Sequence, residues 1–372
     1  MIGPLRVEWV GTYERDYPRT RVLVEGLRAR GVVVDERHRP VWERTTHKAG
    51  GFLSPGNLMK AGGSYVAAWA GLAMERHPGG SPHVVVAGYP AQPDAVPAWI
   101  VARRHRALLV VDMMISLTDT LAGDRARVGR VGGAVLAGID RTTLRLADLV
   151  LCDTRANANF IAMRFGVPRH RLVVAPVGAE PDAFPPTPQP SGALHVLWYG
   201  KLAPMHGLDV IVSAARGEGV PPIRLIGSGQ LDSWLVHEMH RDPPQALQHV
   251  PWVPYEALAG EIASSAVVLG VFGRSDKASR VIPNKVFQAM AAARPVVTAD
   301  TPGIREALVH GENALLVPAG DPDALADALR TLTGDPALRE RLGTAARRRY
   351  EEMGTPQAVA APLLDAIERS RP

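Results

Sequence analysis

Short runs of apolar residues alternate along this chain with longer segments in which apolar residues recur at helical spacing. This alternation is typical of the strand–helix–strand units that build parallel β-sheets. In the first half it predicts strands at residues 5–10, 32–35, 83–87, 107–112, 149–152 and 172–175. Helices fit between them, for example over residues 19–30 and 155–165. The first half is therefore predicted to be one doubly wound α/β domain.

A proline-dense stretch over residues 185–192 follows, and its composition suits neither a helix interior nor a central strand. We interpret it as a linker. A second alternating series predicts strands at residues 194–199, 223–226, 267–271 and 295–299. The predicted domains are residues 1–184 and 193–353. Residues 354–372 have apolar positions at helical spacing, which predicts a helix that packs back on the first domain.

Composition narrows the class of protein. The length of 372 residues suits two domains, and 46% hydrophobic with 21% charged residues is ordinary for a folded chain. The single cysteine, Cys152, excludes disulfide scaffolds and zinc fingers. The net charge of +5 comes from arginines scattered among acids, so no nucleic-acid partner is expected. The sequence has neither a long apolar run nor a signal-peptide layout, which predicts a cytoplasmic protein.

An anion-binding site is predicted where residues 281–292 enter a helix. Pro283 preorganises the first helical turn, so free backbone N–H groups near Asn284 and Lys285 would face a ligand. Of the 42 lysines and arginines only five are lysine, and three of these lie in two short segments that follow strands. Lysine is a compact point charge that suits a phosphate pocket. The alternative is an ordinary buried helix with an exposed lysine.

Two further turns follow predicted strands of the second domain. The segment from Gly200 to Gly207 contains Lys201 and His206, at a position where a backbone turn and cations would grip a diphosphate. Gly227 and Gly229, after the next strand, permit a close approach of the backbone to a nucleotide. Such glycines are also ordinary turn residues, so this signal alone is weak.

Taken together, these segments resemble a known family. Residues 194–332 look like the donor-binding half of a GT-B glycosyltransferase of the retaining family 4, the glycosyl transferases group 1. The resemblance rests on residues 199–207, 226–229, 284–291 and 301–306. It implies two Rossmann-like, doubly wound domains that face a central cleft, with the donor on the second domain.

The resemblance also implies an activity. The chain would be a hexosyltransferase-type enzyme (EC 2.4) that moves a sugar from a nucleoside-diphosphate sugar to a small molecule, natural product, glycan or glycolipid. Transfer would retain the anomeric configuration and would need no metal or other cofactor. Lys201 and His206 stand where the family has arginine and lysine. Arg280 and Gln288 replace its paired glutamates, so the identity of the sugar stays open, and Gln288 would contact the ribose without charge.

The first domain would supply the acceptor side. Asp112 follows a strand where the family often has histidine or aspartate, and with Lys201 and Lys285 it is a predicted catalytic residue. Gly11 would approach the donor phosphate. The predicted acceptor contacts are Tyr13, Arg19, Ser116 and Asp119. The two aspartates are also suited to capping the next helix.

Other functions stay open at this stage. A sugar-nucleotide 2-epimerase and a non-catalytic nucleotide-sugar binder use the same two-domain plan. A dinucleotide-dependent dehydrogenase is disfavoured because residues 11–14 lack the glycine-rich fingerprint. Residues 37–60 mix basic and aromatic side chains, which suggests a peripheral membrane contact. The nucleobase, the acceptor and the oligomeric state are not predicted.

Overall fold

The computed structural model describes residues 4–41, 55–74, 80–124, 128–192 and 194–370. The chain divides into two compact units. Unit 1 comprises Met1–Pro176 and Pro356–Pro372, and unit 2 comprises Val177–Thr355. Residues 185–192, which the sequence analysis interprets as a linker, fall within unit 2.

Unit 1 is built on a parallel sheet with the strand order β2-β1-β3-β4-β5-β6 within its described residues. The strands are β1 (Arg6–Gly11), β2 (Val33–His38), β3 (Val84–Ala87), β4 (Leu108–Asp112), β5 (Leu149–Cys152) and β6 (Leu172–Val174). The helices are α1 (Pro18–Ala29), α2 (Pro55–Met74), α3 (Ala95–His105), α4 (Arg130–Leu146) and α5 (Arg155–Phe165). Strands β3 and β5 are buried at every position, which is why they are apolar runs without alternation.

Unit 2 repeats this plan with the strand order β12-β11-β10-β7-β8-β9, again all parallel. The strands are β7 (Val196–Tyr199), β8 (Ile223–Ile226), β9 (Leu247–Val250), β10 (Val267–Leu269), β11 (Val296–Ala299) and β12 (Leu315–Val317). The helices are α6 (Leu208–Ala214), α7 (Asp232–Arg241), α8 (Leu258–Ser264), α9 (Asp276–Arg280), α10 (Asn284–Ala291), α11 (Pro322–Gly334) and α12 (Pro336–Met353). The predicted fold class, two doubly wound parallel sheets, is confirmed.

The sequence analysis missed the two outermost strands of the second sheet. β9 contains Gln248 and His249, which interrupt its apolar pattern because an edge strand is partly exposed to solvent. β12 has three residues, too few to display a period.

The last helix, α13 (Pro356–Ser370), returns to unit 1 and packs along α1. Its buried residues Val359 and Leu363 join the core that contains Val22 on α1. The two backbones approach so closely that a Cβ on Gly26 would lie 1.9 Å from the carbonyl oxygen of Pro356. Gly26 is therefore required by packing.

No helix within the described ranges is long and apolar enough to cross a bilayer. Residues 42–54, which make up most of the segment predicted to contact a membrane surface, lie outside the described residues.

The contact at Gly26 generates a test of this packing. We expect Gly26→Ala to lower the free energy of unfolding by about 1–3 kcal/mol, because the added methyl overlaps a backbone carbonyl that cannot rotate away. The matched control is Gly138→Ala in α4, where nothing lies within 4 Å of the added methyl and alanine should stabilise the helix by up to about 1 kcal/mol. Urea denaturation measures both. Equal stability of the two variants would contradict the packing argument.

Candidate functional site

Two glycine turns meet at the carboxyl ends of β7 and β8 in unit 2. Gly200 and Gly227 follow these strands with φ angles of +144° and +146°, a region that favours glycine. A Cβ on Gly227 would lie 1.8 Å from the carbonyl oxygen of Gly200. Both glycines are needed because one turn of backbone lies directly against the other.

Gly229 extends this contact by one more turn. A Cβ on Gly229 would lie 2.8 Å from both the nitrogen and the oxygen of Leu202, and the two residues form an isolated β-bridge. The Leu202 N–H donates to the Ser228 carbonyl at 3.1 Å, and the Leu231 N–H donates to the Leu202 carbonyl at 3.0 Å. The turns after β7 and β8 are thus one hydrogen-bonded structure, on which Lys201 is exposed.

Lys285 is buried beside these turns, in the first turn of α10. Its side chain is 4% exposed, and its Nζ lies 3.7 Å from the ring centroid of Trp198 and 5.9 Å from that of Tyr199. A Cβ on Gly200 would lie 3.3 Å from the same Nζ. No hydrogen-bond acceptor for Nζ is found among the described residues. Burial lowers the pKa of Lys285 well below the ordinary lysine value.

Trp198 joins this lysine to His206. The His206 ring stands nearly perpendicular to the indole, with centroids 5.5 Å apart, and the indole Nε1–H donates to the Gly270 carbonyl at 3.1 Å. The His206 carbonyl accepts the N–H of Phe272 at 3.0 Å. Among the predicted cationic side chains, Lys285 is thus buried, His206 is half-buried and Lys201 is exposed.

Gln288 lies one turn further along α10 and is 2% exposed. Its Oε1 accepts the hydroxyl of Tyr199 at 2.6 Å, and its Nε2 donates to the hydroxyl oxygen of Tyr255 at 3.4 Å. The Tyr255 hydroxyl donates to Glu180 Oε2, also at 3.4 Å. Burial raises the pKa of Tyr199 well above its ordinary value, so this hydroxyl stays a neutral donor. Tyr255 and Glu180 were not predicted from the sequence, because no local pattern ties them to α10.

Arg280 and Asn284, the other two predicted donor contacts on this segment, are both half-buried. Arg280 ends α9, and a Cβ on Gly303 would lie 2.6 Å from its carbonyl carbon. The Gly303 N–H donates to the Ser279 carbonyl at 2.9 Å. The turn at Gly303, part of the resemblance in the sequence, thus supports the end of α9.

In unit 1, the structure joins two residues that the sequence analysis assigned to different roles. Asp112 at the end of β4 and Arg19 on α1 form an ion pair, with 2.7 Å between Oδ2 and Nε, and both side chains are at most 1% exposed. Arg19 Nη1 also donates to the Ala175 carbonyl at 2.8 Å. Asp112 Oδ1 accepts the Met114 N–H at 3.3 Å. Here Asp112 orients its own loop and neutralises a buried arginine.

The turn after β1 is held by Asp94, which the sequence analysis missed. Its Oδ2 accepts the Thr12 N–H at 2.7 Å, and a Cβ on Gly11 would lie 2.4 Å from that oxygen. Burial raises the pKa of Asp94 to about 7, against the lowering effect of its hydrogen bonds to Thr12. A phosphate bound at Gly11, as predicted, would therefore lie against the carboxyl group of Asp94. Asp94 directly precedes α3, where an aspartate is expected to cap the helix. Its hydrogen bond to the Thr12 N–H, on the turn after β1, was therefore not predictable from its position.

Ser116 and Asp119 lie on a loop that Asp140 of α4 organises. Asp140 accepts hydrogen bonds from the Ser116 hydroxyl at 2.7 Å, the Leu117 N–H at 3.0 Å and the Thr118 N–H at 3.0 Å. The Asp119 N–H donates to the Ser116 hydroxyl at 3.1 Å. Ser116 is buried and Asp119 is half-buried. Asp140 could have been found from the sequence as a carboxylate on the otherwise apolar, buried face of an amphipathic helix.

Tyr13 is fully buried in the core of unit 1. Its hydroxyl donates to Glu36 at 3.2 Å, and burial raises its pKa. Neither Tyr13 nor Arg19 has exposed surface, and each is already bound to a carboxylate of the chain, Glu36 and Asp112 respectively. We therefore do not retain them as acceptor contacts. Within the described part of the chain, no group of three or more His, Cys, Asp or Glu side chains is placed to hold a metal ion.

The chain is similar in sequence and in fold to known proteins. Residues 193–335 match the family described as Glycosyl transferases group 1. A D-inositol 3-phosphate glycosyltransferase of Xylanimonas cellulosilytica is 28% identical over 241 residues, covering 58% of this chain and 56% of that protein. The chain spans about half the length of the first curated relatives it matches, between 50% and 56%.

Solved structures resemble the whole chain. Sucrose-phosphate synthase from Thermosynechococcus elongatus superposes with a TM-score of 0.73 at 17% identity and covers 98% of both chains. Anabaena HepE, solved in complex with UDP-glucose, has a TM-score of 0.69 at 12% identity and covers 98% of this chain and 100% of that chain. At these identities the likeness shows a shared fold.

The buried ammonium of Lys285 generates a stability prediction. We expect Lys285→Met to raise the free energy of unfolding at neutral pH by about 1–3 kcal/mol, because it removes an unsatisfied buried polar group. Between the lowered pKa of the folded state and the ordinary lysine value, the unfolded wild type binds more protons, so wild-type stability rises with pH there. The advantage of the variant should shrink across that window.

Urea denaturation at a series of pH values measures this difference, with Lys277→Met on α9 as the control. Parallel curves for the wild type and Lys285→Met would contradict the burial of a lysine without an acceptor.

Proposed function

We propose that this chain, a GT-B protein whose residues 193–335 belong to the glycosyl transferases group 1 family, transfers a sugar from a nucleoside-diphosphate sugar to an acceptor hydroxyl. The observation that carries the proposal is the position of Lys285. The buried side chain of Lys285, for which the described part of the chain supplies no hydrogen-bond acceptor, lies against the glycine turns at the carboxyl edge of the unit 2 sheet, where ligands of doubly wound folds bind. An anion is the ligand that such a position favours.

In this proposal the donor diphosphate lies over α10 and the turn after β7. Lys285 forms the buried contact, the N–H groups of the first turn at Asn284 add their partial positive charge, and Lys201 and His206 add contacts from the β7 turn. As the bond between the anomeric carbon and the phosphate oxygen breaks, the electron pair stays on the phosphate. These groups would stabilise that growing negative charge.

The nucleoside would lie along the turns at Gly227 and Gly229. Gln288 serves as the neutral ribose contact in this arrangement. Since the Tyr199 hydroxyl occupies one lone pair of its Oε1, a second lone pair is left for a ribose hydroxyl. Arg280 places a positive charge where the family has a glutamate, and we propose that it faces the sugar or its phosphate.

The acceptor side is proposed for unit 1. Asp119 is the half-buried carboxylate of the loop that Asp140 organises, and it is the acceptor contact we retain. Ser116, whose buried hydroxyl donates to Asp140 and accepts the Asp119 N–H, positions that residue. Asp112 acts with Arg19 as a positioning pair for the β4 loop. The acceptor oxygen forms the new bond to the anomeric carbon and passes its proton to the leaving phosphate. By family resemblance, we propose that the reaction retains the anomeric configuration and proceeds without a metal.

The decisive experiment is incubation of the protein with UDP-, GDP- and ADP-sugars, with and without a panel of polyol and sugar acceptors. Transfer to an acceptor supports the proposal. A donor that is epimerised without acceptor would identify a 2-epimerase instead, and binding without any turnover would identify a nucleotide-sugar binder.

Removal of the buried cation should weaken donor binding. We expect Lys285→Ala to reduce the affinity for the nucleoside diphosphate by at least about tenfold, which is the loss of one charge-assisted contact. Lys277→Ala, the matched loss of a lysine from the neighbouring helix, should leave affinity within about twofold. Isothermal titration calorimetry with UDP and GDP measures both. Wild-type affinity in Lys285→Ala would remove the central phosphate assignment.

Nucleotide binding should also take up protons. A diphosphate beside Lys285 favours its charged form and opposes the effect of burial, so the pKa of Lys285 should be higher in the complex than in the free protein. Binding should therefore take up protons at pH values between these two pKa values. Calorimetry in two buffers with different ionisation enthalpies measures the proton count. The uptake should disappear in Lys285→Met, and an uptake that persists in that variant would assign the proton to another group.

A further inference from the structure

One helix of unit 1 exposes apolar side chains along one face. On α4, Val131 is 82% exposed, Val135 is 59% exposed and Ile139 is 39% exposed. Their spacing of four residues places them one above the other along the helix. Single exposed apolar residues are normal on a protein surface, but a continuous row of three marks an interaction surface.

The exposed charged residues of α4 are all positive and lie beside its exposed apolar residues. Arg130, Arg141 and Arg145 are all exposed, and their spacings of eleven and four residues place them in a row along one flank of the apolar face. The helix has a single carboxylate, Asp140, which is fully buried. α4 therefore presents an apolar stripe and positive charge to solvent, without an exposed acid.

We propose that this surface of α4, formed by Val131, Val135, Ile139 and the three arginines, docks the chain on an anionic lipid bilayer. Apolar side chains of an interfacial helix enter the boundary between headgroups and acyl chains, while arginines contact anionic headgroups. A second copy of the chain is a poorer occupant, because its α4 would bring the same positive row against this one. The inference stands on unit 1 alone and does not depend on the proposed donor site.

Contacts on the buried side of α4 keep the exposed apolar residues on the solvent side of the helix. Asp140 accepts hydrogen bonds from Ser116 and Thr118, and Ala137 and Leu144 are buried with it. These contacts fix the rotation of the helix about its axis, so the opposite face cannot turn into the core. Removing the exposed valines should therefore leave the fold intact.

The test is co-sedimentation of the full chain with vesicles of phosphatidylcholine alone and of equal parts phosphatidylcholine and phosphatidylglycerol. We expect binding to the anionic vesicles only. Val135→Asp should weaken it by at least about tenfold, because a charge would enter the apolar boundary. The matched control is Val236→Asp on α7 of unit 2, a valine that is 50% exposed, and this variant should bind like the wild type. Arg141→Gln with Arg145→Gln should weaken binding and flatten its salt dependence.

Three results would overturn the proposal. The first is wild-type protein that does not sediment with anionic vesicles, and the second is equal binding of wild type and Val135→Asp. The third is a wild-type dimer, detected by light scattering, that Val135→Asp converts to a monomer, which would assign the stripe to a second copy. Thermal unfolding of each variant confirms that it is folded. Stabilisation by UDP-sugar tests the donor site separately, so the two proposals fail independently.

Discussion

The constraint around which the carboxyl edge of the unit 2 sheet is arranged is the buried side chain of Lys285, for whose Nζ no hydrogen-bond acceptor is found among the described residues. Lys285 gains some stabilisation from the face of Trp198, but an indole does not replace the hydrogen bonds that an ammonium has in water. Side chains are absent where they would crowd it, since Gly200 lies beside its Nζ and Gly227 lies against Gly200. The lysine and the glycines therefore form one arrangement, in which backbone is kept close to a cation.

At the carboxyl edge of the unit 1 sheet, the buried charged groups are carboxylates that have hydrogen-bond donors within the chain. Asp94, Asp112 and Asp140 are buried carboxylates, and each accepts hydrogen bonds from neighbouring loops. Asp112 is further neutralised by Arg19. Their lone pairs are used to shape the loops that follow β1 and β4. The polar groups at this edge are thus largely satisfied by the chain itself, whereas the cation of unit 2 is not.

The sequence predicted the sheets and the location of the cation for physical reasons that are local. Buried parallel strands are apolar throughout, so their runs are visible. Segments that follow such strands lie at the same edge of the sheet, which is why Gly200, directly after β7, and Lys285, in the segment between β10 and β11, were assigned to one site. The edge strand β9, with Gln248 and His249, was hidden because solvent exposure permits polar residues there. Asp94 and Asp140 act on segments 82 and 22 to 24 residues away, and no spacing rule connects such positions.

The roles assigned to Tyr13 and Arg19 show where sequence reasoning reached its limit. Both follow β1, as ligand contacts in this type of fold do, yet both side chains turn inward. Arg19 has its Nε on Asp112 and its Nη1 on a backbone carbonyl, so its charge is already compensated by a carboxylate of the chain, although no partner for its Nη2 is found among the described residues. Lys285 is the opposite case, because it is also buried but the described residues supply no counter-group for it. Burial alone thus does not separate a structural charge from a binding charge. The separating property is whether the chain supplies the counter-group, and only side-chain geometry reveals that.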